Sequence, residues 1–141
     1  MIYVASDHIG ISLKQLAIDY LTRHDQQVKD LGPNSTKRVN YTDFAKILCA
    51  QMLKNEGSQG ILICGTGIGM SMMANRYKGI RAAVCTHEYM AEMTRKHNNA
   101  NVLCLGSRVI GDDLTVAIVE KFFMTSFEGG RHAKRVEQFD Y

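Results

Sequence analysis

The sequence contains no tryptophan and a single proline, Pro33, in 141 residues. With so little proline, helices and strands can run uninterrupted. None of the four cysteines, Cys49, Cys64, Cys85 and Cys104, belongs to a Cys-x-x-Cys pair. Zinc-ribbon and thioredoxin-type readings lose their main support. No apolar run approaches the ~18 residues of a membrane span. The N-terminus lacks the basic-then-apolar pattern of a secretory leader. The expectation is a cytoplasmic protein with reduced thiols and no membrane partner. Charge of one sign is also scarce. Seventeen Lys+Arg against fourteen Asp+Glu give +3, too little to argue for nucleic acid. No Gly-x-x-x-x-Gly-Lys-Ser/Thr is present, which excludes the P-loop. The length leaves no room for separate cofactor and substrate domains, so one domain is expected over residues 1–141. A large cleft would need a second copy of the chain to complete it.

What is present is ordinary for a globular protein: 45% hydrophobic and 22% charged residues. Short apolar runs alternate with helical patterns. Ile2 to Ala5 reads as a strand, followed by a helix with Leu13, Leu16, Ala17, Tyr20 and Leu21 on one stripe. Gln27 to Leu31 is a weaker strand, closed by the turn signal Gly32-Pro33-Asn34. Residues 34–40 form a loop. Thr42 or Asp43 is expected to cap a helix with Phe44, Ile47, Leu48 and Met52 inward. Gly60 to Cys64 is continuously apolar, as a strand covered on both faces must be. Further expectations are a helix from Met70 to Tyr77, a strand from Arg81 to Cys85 and a helix from His87 to Lys96. Val102 to Leu105 is then a strand, a helix capped by Asp112 or Asp113 runs to about Phe127, and the tail holds one short helix. Strand–helix alternation of this kind implies a three-layer α/β/α, Rossmann-like fold with a five-stranded parallel sheet. The long helix carries Leu114, Val116, Ala117, Ile118, Val119, Phe122 and Phe123, more than one stripe's worth. It is either a subunit interface or a deeply buried helix.

Ligands of an open parallel sheet bind at the carboxyl ends of its strands. The residues there are Ser6, Asp7 and His8; Cys64 with its glycine loop; Thr86, His87 and Glu88; and Gly106, Ser107 and Arg108. The loop Gly65-Thr66-Gly67-Ile68-Gly69 lies between strand and helix. Its glycines permit close approach to a ligand, and the helix start offers free N–H groups to an oxyanion or phosphate. A dinucleotide reading is weakened because the third glycine comes one residue early. Cys49, Cys85 and Cys104 read as small buried hydrophobes. Cys64 differs, because a helix N-terminus stabilises the thiolate form of an adjacent thiol. A thiolate can take a proton from carbon. His8 and His97 are the histidine candidates, His97 in a polar break before the last strand; His24 and His87 read as exposed helix-boundary residues. Arg131 and Arg135 share a helix face and suit a phosphate, with a solvated basic tail as the alternative.

Together these pieces resemble the type B ribose-5-phosphate isomerases, in the wider family of galactose-6-phosphate and allose-6-phosphate isomerases. The resemblance rests on Ser-Asp-His-Ile-Gly with Leu-Lys at 6–14, Tyr-Thr-Asp-Phe-Ala at 41–45 and Gly-Ile-Leu-Ile-Cys-Gly-Thr-Gly-Ile-Gly-Met-Ser at 60–71. Further matches are Ala-Asn-Arg-Tyr-Lys-Gly-Ile-Arg-Ala at 74–82, His-Asn-Asn-Ala-Asn-Val-Leu at 97–103, Gly-Ser-Arg-Val at 106–109 and Glu-Gly-Gly-Arg-His-Ala-Lys-Arg-Val at 128–136. It implies an aldose–ketose isomerase acting on ribose 5-phosphate and ribulose 5-phosphate in pentose phosphate metabolism, without metal, nucleotide or other cofactor. Cys64 would be the base, Thr66 and the backbone of Gly65, Gly67, Ile68 and Gly69 would hold the enediolate, and His97 assisted by Asp7 would open the sugar ring. His8, Arg108, Arg131 and Arg135 would hold the phosphate, Asn98 a sugar hydroxyl, and Tyr41 would border the sugar. The resemblance also implies a homodimer or tetramer with shared active sites, His97 and Arg108 facing the Cys64 loop of the neighbouring chain. Some members use a glutamate in the helix after the loop; here Met70 to Asn75 contains no acid, which favours Cys64. Thr42 stands where the family commonly has proline. A six-carbon sugar phosphate and a non-catalytic sugar-phosphate-binding module are the competing readings.

Overall fold

The computed structural model describes residues 1–140. Its elements are β1 (Ile2–Ser6), α1 (Ile11–Arg23), β2 (Val28–Asp30), α2 (Tyr41–Lys54), β3 (Gln59–Cys64) and α3 (Ile68–Ala74). There follow β4 (Ala82–Val84), α4 (Glu88–Asn98), β5 (Val102–Gly106), α5 (Asp112–Met124), α6 (Arg131–Val136) and a closing 3-10 turn at Glu137–Phe139. The strands form one parallel sheet in the order β2-β1-β3-β5-β4.

The central strands are apolar on both sides because both faces are covered. Val4, Ile61, Ile63, Leu103 and Leu105 point to α1, α4 and α5. Tyr3, Ala5, Leu62 and Cys104 point to α2 and α3. The expected three-layer α/β/α sandwich is the observed one. Among the described residues, no helix is long and apolar enough to cross a membrane.

Several element boundaries differ from the sequence reading. Helix α2 starts at Tyr41 after Asn40, so Thr42 and Asp43 lie inside its first turn. Its buried face is Ala45, Leu48, Cys49 and Met52, while Ile47 is exposed. Helix α3 starts two residues early because Gly67, at φ +80, turns the chain directly into it. Asn75 ends it, its side chain bonding both the N–H and the carbonyl of Ala82. Helix α5 follows Gly111 and stops at Met124, short of Phe127. There Thr125 turns extended, its hydroxyl donating to Lys121 O and its carbonyl accepting from Arg95 Nε. Much of the apolar surface of α5 is taken up within the chain. Ile118, Val119 and Phe122 are buried, and Leu114, Val116 and Phe123 pack against the same core. Leu114, Val116, Ala117 and Phe123 are only half-buried within one chain, so the helix fits either reading.

Lys14 carries a charge into the core. It is 1% exposed, and its ammonium donates to Asp30 Oδ1 at 2.8 Å and Pro33 O at 2.6 Å. Asp30 Oδ1 also accepts from Gly32 N–H. The end of β2 and the following turn are thereby tied to α1.

Candidate active site

Strand β1 continues through α1 to β2 on one side, and β2 returns through α2, on the other face, to β3 on β1's opposite side. The crevice between the carboxyl ends of β1 and β3 is therefore a topological switch point, where open sheets bind ligands. Asp7 and His8 stand at one lip, Cys64 and its loop at the other.

Cys64 is 6% exposed at the last position of β3. Gly67 N–H donates to its sulfur at 3.1 Å, fixing the sulfur against the loop. The loop is shaped by backbone crowding. A Cβ at Gly67 would lie 3.0 Å from the Leu105 backbone, and one at Gly106 would lie 2.7 Å from the Thr66 backbone. Ser107 N–H and Arg108 N–H donate to the carbonyls of Cys64 and Gly65, so the turns after β3 and β5 are locked together. Thr66 Oγ1 accepts from Ile68 N–H at 3.2 Å. The N–H groups of Gly69 and Met70, in the first turn of α3, have no intrahelical acceptor. Tyr41 lies across this turn: a Cβ on Gly69 would come within 2.7 Å of its ring.

The other lip is equally ordered. Asp7 is buried, and its Oδ1 accepts from Ile9 N–H at 2.9 Å and Gly10 N–H at 3.0 Å. His8 Nδ1 accepts from Val39 N–H at 3.2 Å. In the neutral imidazole that leaves the proton on Nε2, and it ties the 34–40 loop to the crevice rim. Arg108 is exposed, with its side chain passing 3.8 Å from the Gly65 Cβ position. It thus shares an edge with Cys64 of its own chain, which corrects the expected grouping of Arg108 with His97.

The remaining candidates lie elsewhere. His97 and Asn98 form the last turn of α4, rather than a break before β5. Helix α4 runs back along the sheet for about 16 Å and ends at the amino edge, where Asn101 N–H bonds Arg81 O at the start of β4. Arg131, His132 and Arg135 belong to α6 at that same edge, held by Glu128 N–H donating to Lys96 O. Arg131 and Arg135 are exposed and one helical turn apart. Among the described residues, neither these two nor Arg108 makes an ion pair within 4 Å. One chain therefore presents two separated half-sites: Asp7, His8, Tyr41, Cys64 to Gly69 and Arg108 at the carboxyl edge, and His97, Asn98, Arg131 and Arg135 at the amino edge. The small cavity bordering the first, about 210 Å³ between Tyr41, Gly69, Met72 and Arg76, falls below the ~300 Å³ of ordinary ligand pockets.

The sequence reading gave His132 no role. Its ring is buried and stacks on His97, with centroids 4.3 Å apart and planes 14° apart. Both face Glu128. Burial, with His97 and Arg131 beside it, lowers the His132 pKa below the usual histidine value. The available signal is its place in Glu-Gly-Gly-Arg-His, four residues after Glu128. The other three cysteines behave as expected of core thiols. Burial pushes Cys49 up to about 11, Cys85 up to about 12 and Cys104 well above the ordinary thiol value. His24 and His87 are exposed at helix boundaries.

The family model for ribose/galactose isomerases matches residues 2–139. The chain belongs to the ribose/galactose isomerase family. Within it, the chain is 48% identical to a probable ribose-5-phosphate isomerase B of Mycoplasma pneumoniae, over 96% of this chain and 90% of that protein. It is 43% identical to ribose-5-phosphate isomerase B of Escherichia coli, over 93% and 88%. Among solved members of the family, a ribose 5-phosphate isomerase of Thermotoga maritima superposes with a TM-score of 0.95 at 47% identity, covering 99% of this chain and 96% of that one. The Mycoplasma genitalium enzyme, solved with bound ribulose-5-phosphate, gives 0.94 at 44%, covering 97% and 91%.

Proposed function

We propose that residues 1–141 act as one domain of a homo-oligomeric isomerase that interconverts D-ribose 5-phosphate and D-ribulose 5-phosphate. The observation that carries the chemistry is Cys64 at the switch-point crevice, its sulfur held by a glycine loop whose helix start carries unpartnered N–H groups. The family relationship supports the sugar phosphate as substrate.

The steps follow from the groups present. His97, assisted by Asp7, opens the furanose by moving a proton between the ring oxygen and the anomeric hydroxyl. An imidazole both gives and takes protons near neutrality. The Cys64 thiolate removes the C2 proton. The C2–H electron pair forms the C1–C2 double bond, and the aldehyde oxygen becomes the enediolate oxyanion. Loop N–H groups and the Thr66 hydroxyl receive that charge; preorganised donors are worth most where charge develops. Cys64 then delivers its proton to C1, the C2 oxygen becomes the carbonyl, and its hydroxyl proton passes to O1. His8, Arg108, Arg131 and Arg135 hold the phosphate, Asn98 a hydroxyl, and Tyr41 lines the sugar.

These roles need both half-sites at once, and the sheet separates them within a chain. The reading is therefore a dimer at minimum, with the amino-edge group of one chain set against the carboxyl-edge group of the other. Exposed Tyr41, Ile68, Met72 and Val109 around the Cys64 edge support a partner covering that surface. Incubation with ribose 5-phosphate in deuterated water tests the chemistry. Ketose carrying deuterium at C1 is expected from the wild type and not from Cys64→Ala. Undiminished exchange in Cys64→Ala would refute the assigned base.

A further inference from the structure

Three electron-pair donors converge at the amino edge. Glu128 Oε2 lies 4.0 Å from His97 Nε2 and 3.6 Å from His132 Nε2. All three ligand atoms fall within 4.8 Å of one another. Backbone bonds hold the three residues in register. Glu128 N–H is fastened to Lys96 O, next to His97, and His132 N–H to Gly129 O. Gly129 and Gly130, at φ +66 and +56, fold the chain back between Glu128 and His132. His132 is buried, whereas the side chains of His97 and Glu128 are 40% and 49% exposed. The group therefore has a fixed floor and an open front.

Two imidazole nitrogens and a carboxylate are the donor set of three-ligand zinc sites that keep a fourth position open. Tetrahedral bonds of about 2.1 Å place ligand atoms roughly 3.4 Å apart. The carboxylate–imidazole spacings of 3.6 and 4.0 Å need a few tenths of an ångström of closure. The partly exposed His97 ring, stacked on His132 with centroids 4.3 Å apart, must swing out of the stack so that both in-plane lone pairs meet one ion. We propose that His97, Glu128 and His132 bind a divalent cation of the zinc class, and that its occupation switches isomerisation off. The bound metal takes the Nε2 lone pair that His97 needs to move a ring proton. Switching rests on the role of His97 proposed above; binding does not.

Zinc calorimetry on the full chain, with cobalt absorption as the spectroscopic probe, tests the two parts separately. One zinc per chain is expected, with loss of ribose 5-phosphate isomerisation that chelation by EDTA reverses. Outer-shell partners alone are worth roughly 10–100-fold in metal affinity, so Glu128→Gln and His132→Ala should each weaken binding at least ~10-fold. Glu128→Gln changes an exposed side chain and keeps the test valid should His132→Ala melt early. Cys64→Ala should bind as wild type does, and the cobalt spectrum should lack a thiolate charge-transfer band. Unchanged affinity in Glu128→Gln, or loss of binding in Cys64→Ala, overturns the site. Full activity with zinc bound overturns the switch. A chain that binds zinc at these residues but isomerises no sugar phosphate upholds the site and refutes the functional reading instead.

Discussion

Four cysteines share one small fold, and their surroundings divide them. Cys49, Cys85 and Cys104 sit in apolar layers, where burial penalises the thiolate. Cys64 sits where a strand ends and a backbone N–H meets the sulfur. Iodoacetamide at pH 8 should therefore modify Cys64 alone in the native protein, read by peptide mass; labelling of Cys49 or Cys85 would contradict the packing. The raised thiols also set an alkaline limit. An acid whose pKa is raised by folding keeps more protons folded than unfolded, so its contribution is full below the unfolded value and is lost as pH rises. For Cys49 that window runs from 9.0 to about 11. The melting temperature should fall across it, and less steeply in Cys49→Ala. Lys14 is the second residue whose surroundings decide its role. Lys14→Met removes charge-assisted bonds to Asp30 and Pro33 and should cost about 2 kcal/mol, seen as a lower denaturation midpoint. An unchanged midpoint would mean that the buried ammonium contributes nothing net.

Glycines decide the geometry at the level of elements. Gly67 starts α3 in a left-handed conformation against the Leu105 backbone, and Gly106 leaves room for Thr66. Gly106→Ala drives a methyl into backbone that has no flexible end to yield. It should cost about 2 kcal/mol and most of the activity. Gly111→Ala, where nothing lies within 4 Å, should cost a few tenths. Equal effects at the two positions would contradict the crowding argument. The Gly-x-Gly-x-Gly pattern was legible in the sequence because its physics is local. The start of α2 was not, because the Tyr41 ring packs on Gly69, 28 positions away in the chain. The inward stripe of α2 misled for a similar reason. Ala45 and Cys49 are small enough to lie close to the sheet, and the larger Ile47 faces outward.

The whole molecule shows what periodicity could and could not reveal. Alternating strands and helices made the parallel sheet legible, and strand ends pointed to Asp7, His8, Cys64 and Arg108. His97 lies in the last turn of α4 rather than beyond it, because a helix of mostly polar residues gives its own end no apolar signal. Its direction along α4 then carries His97 to the far edge of the sheet. Lys14 and His132 were hidden as core residues, since burial of a polar side chain depends on partners distant in sequence. The strand order β2-β1-β3-β5-β4 is likewise a property of long-range pairing. It is the separation of the two half-sites by the length of that sheet which makes the proposed catalytic unit larger than the chain.

Subunit mixing tests that central claim directly. Cys64→Ala and His97→Ala homo-oligomers should each be inactive. Unfolded together in equal amounts and refolded, a dimeric unit returns one intact site in each mixed pair, so about a quarter of wild-type activity should reappear. If each chain carried a complete site of its own, mixing two inactive variants would restore none.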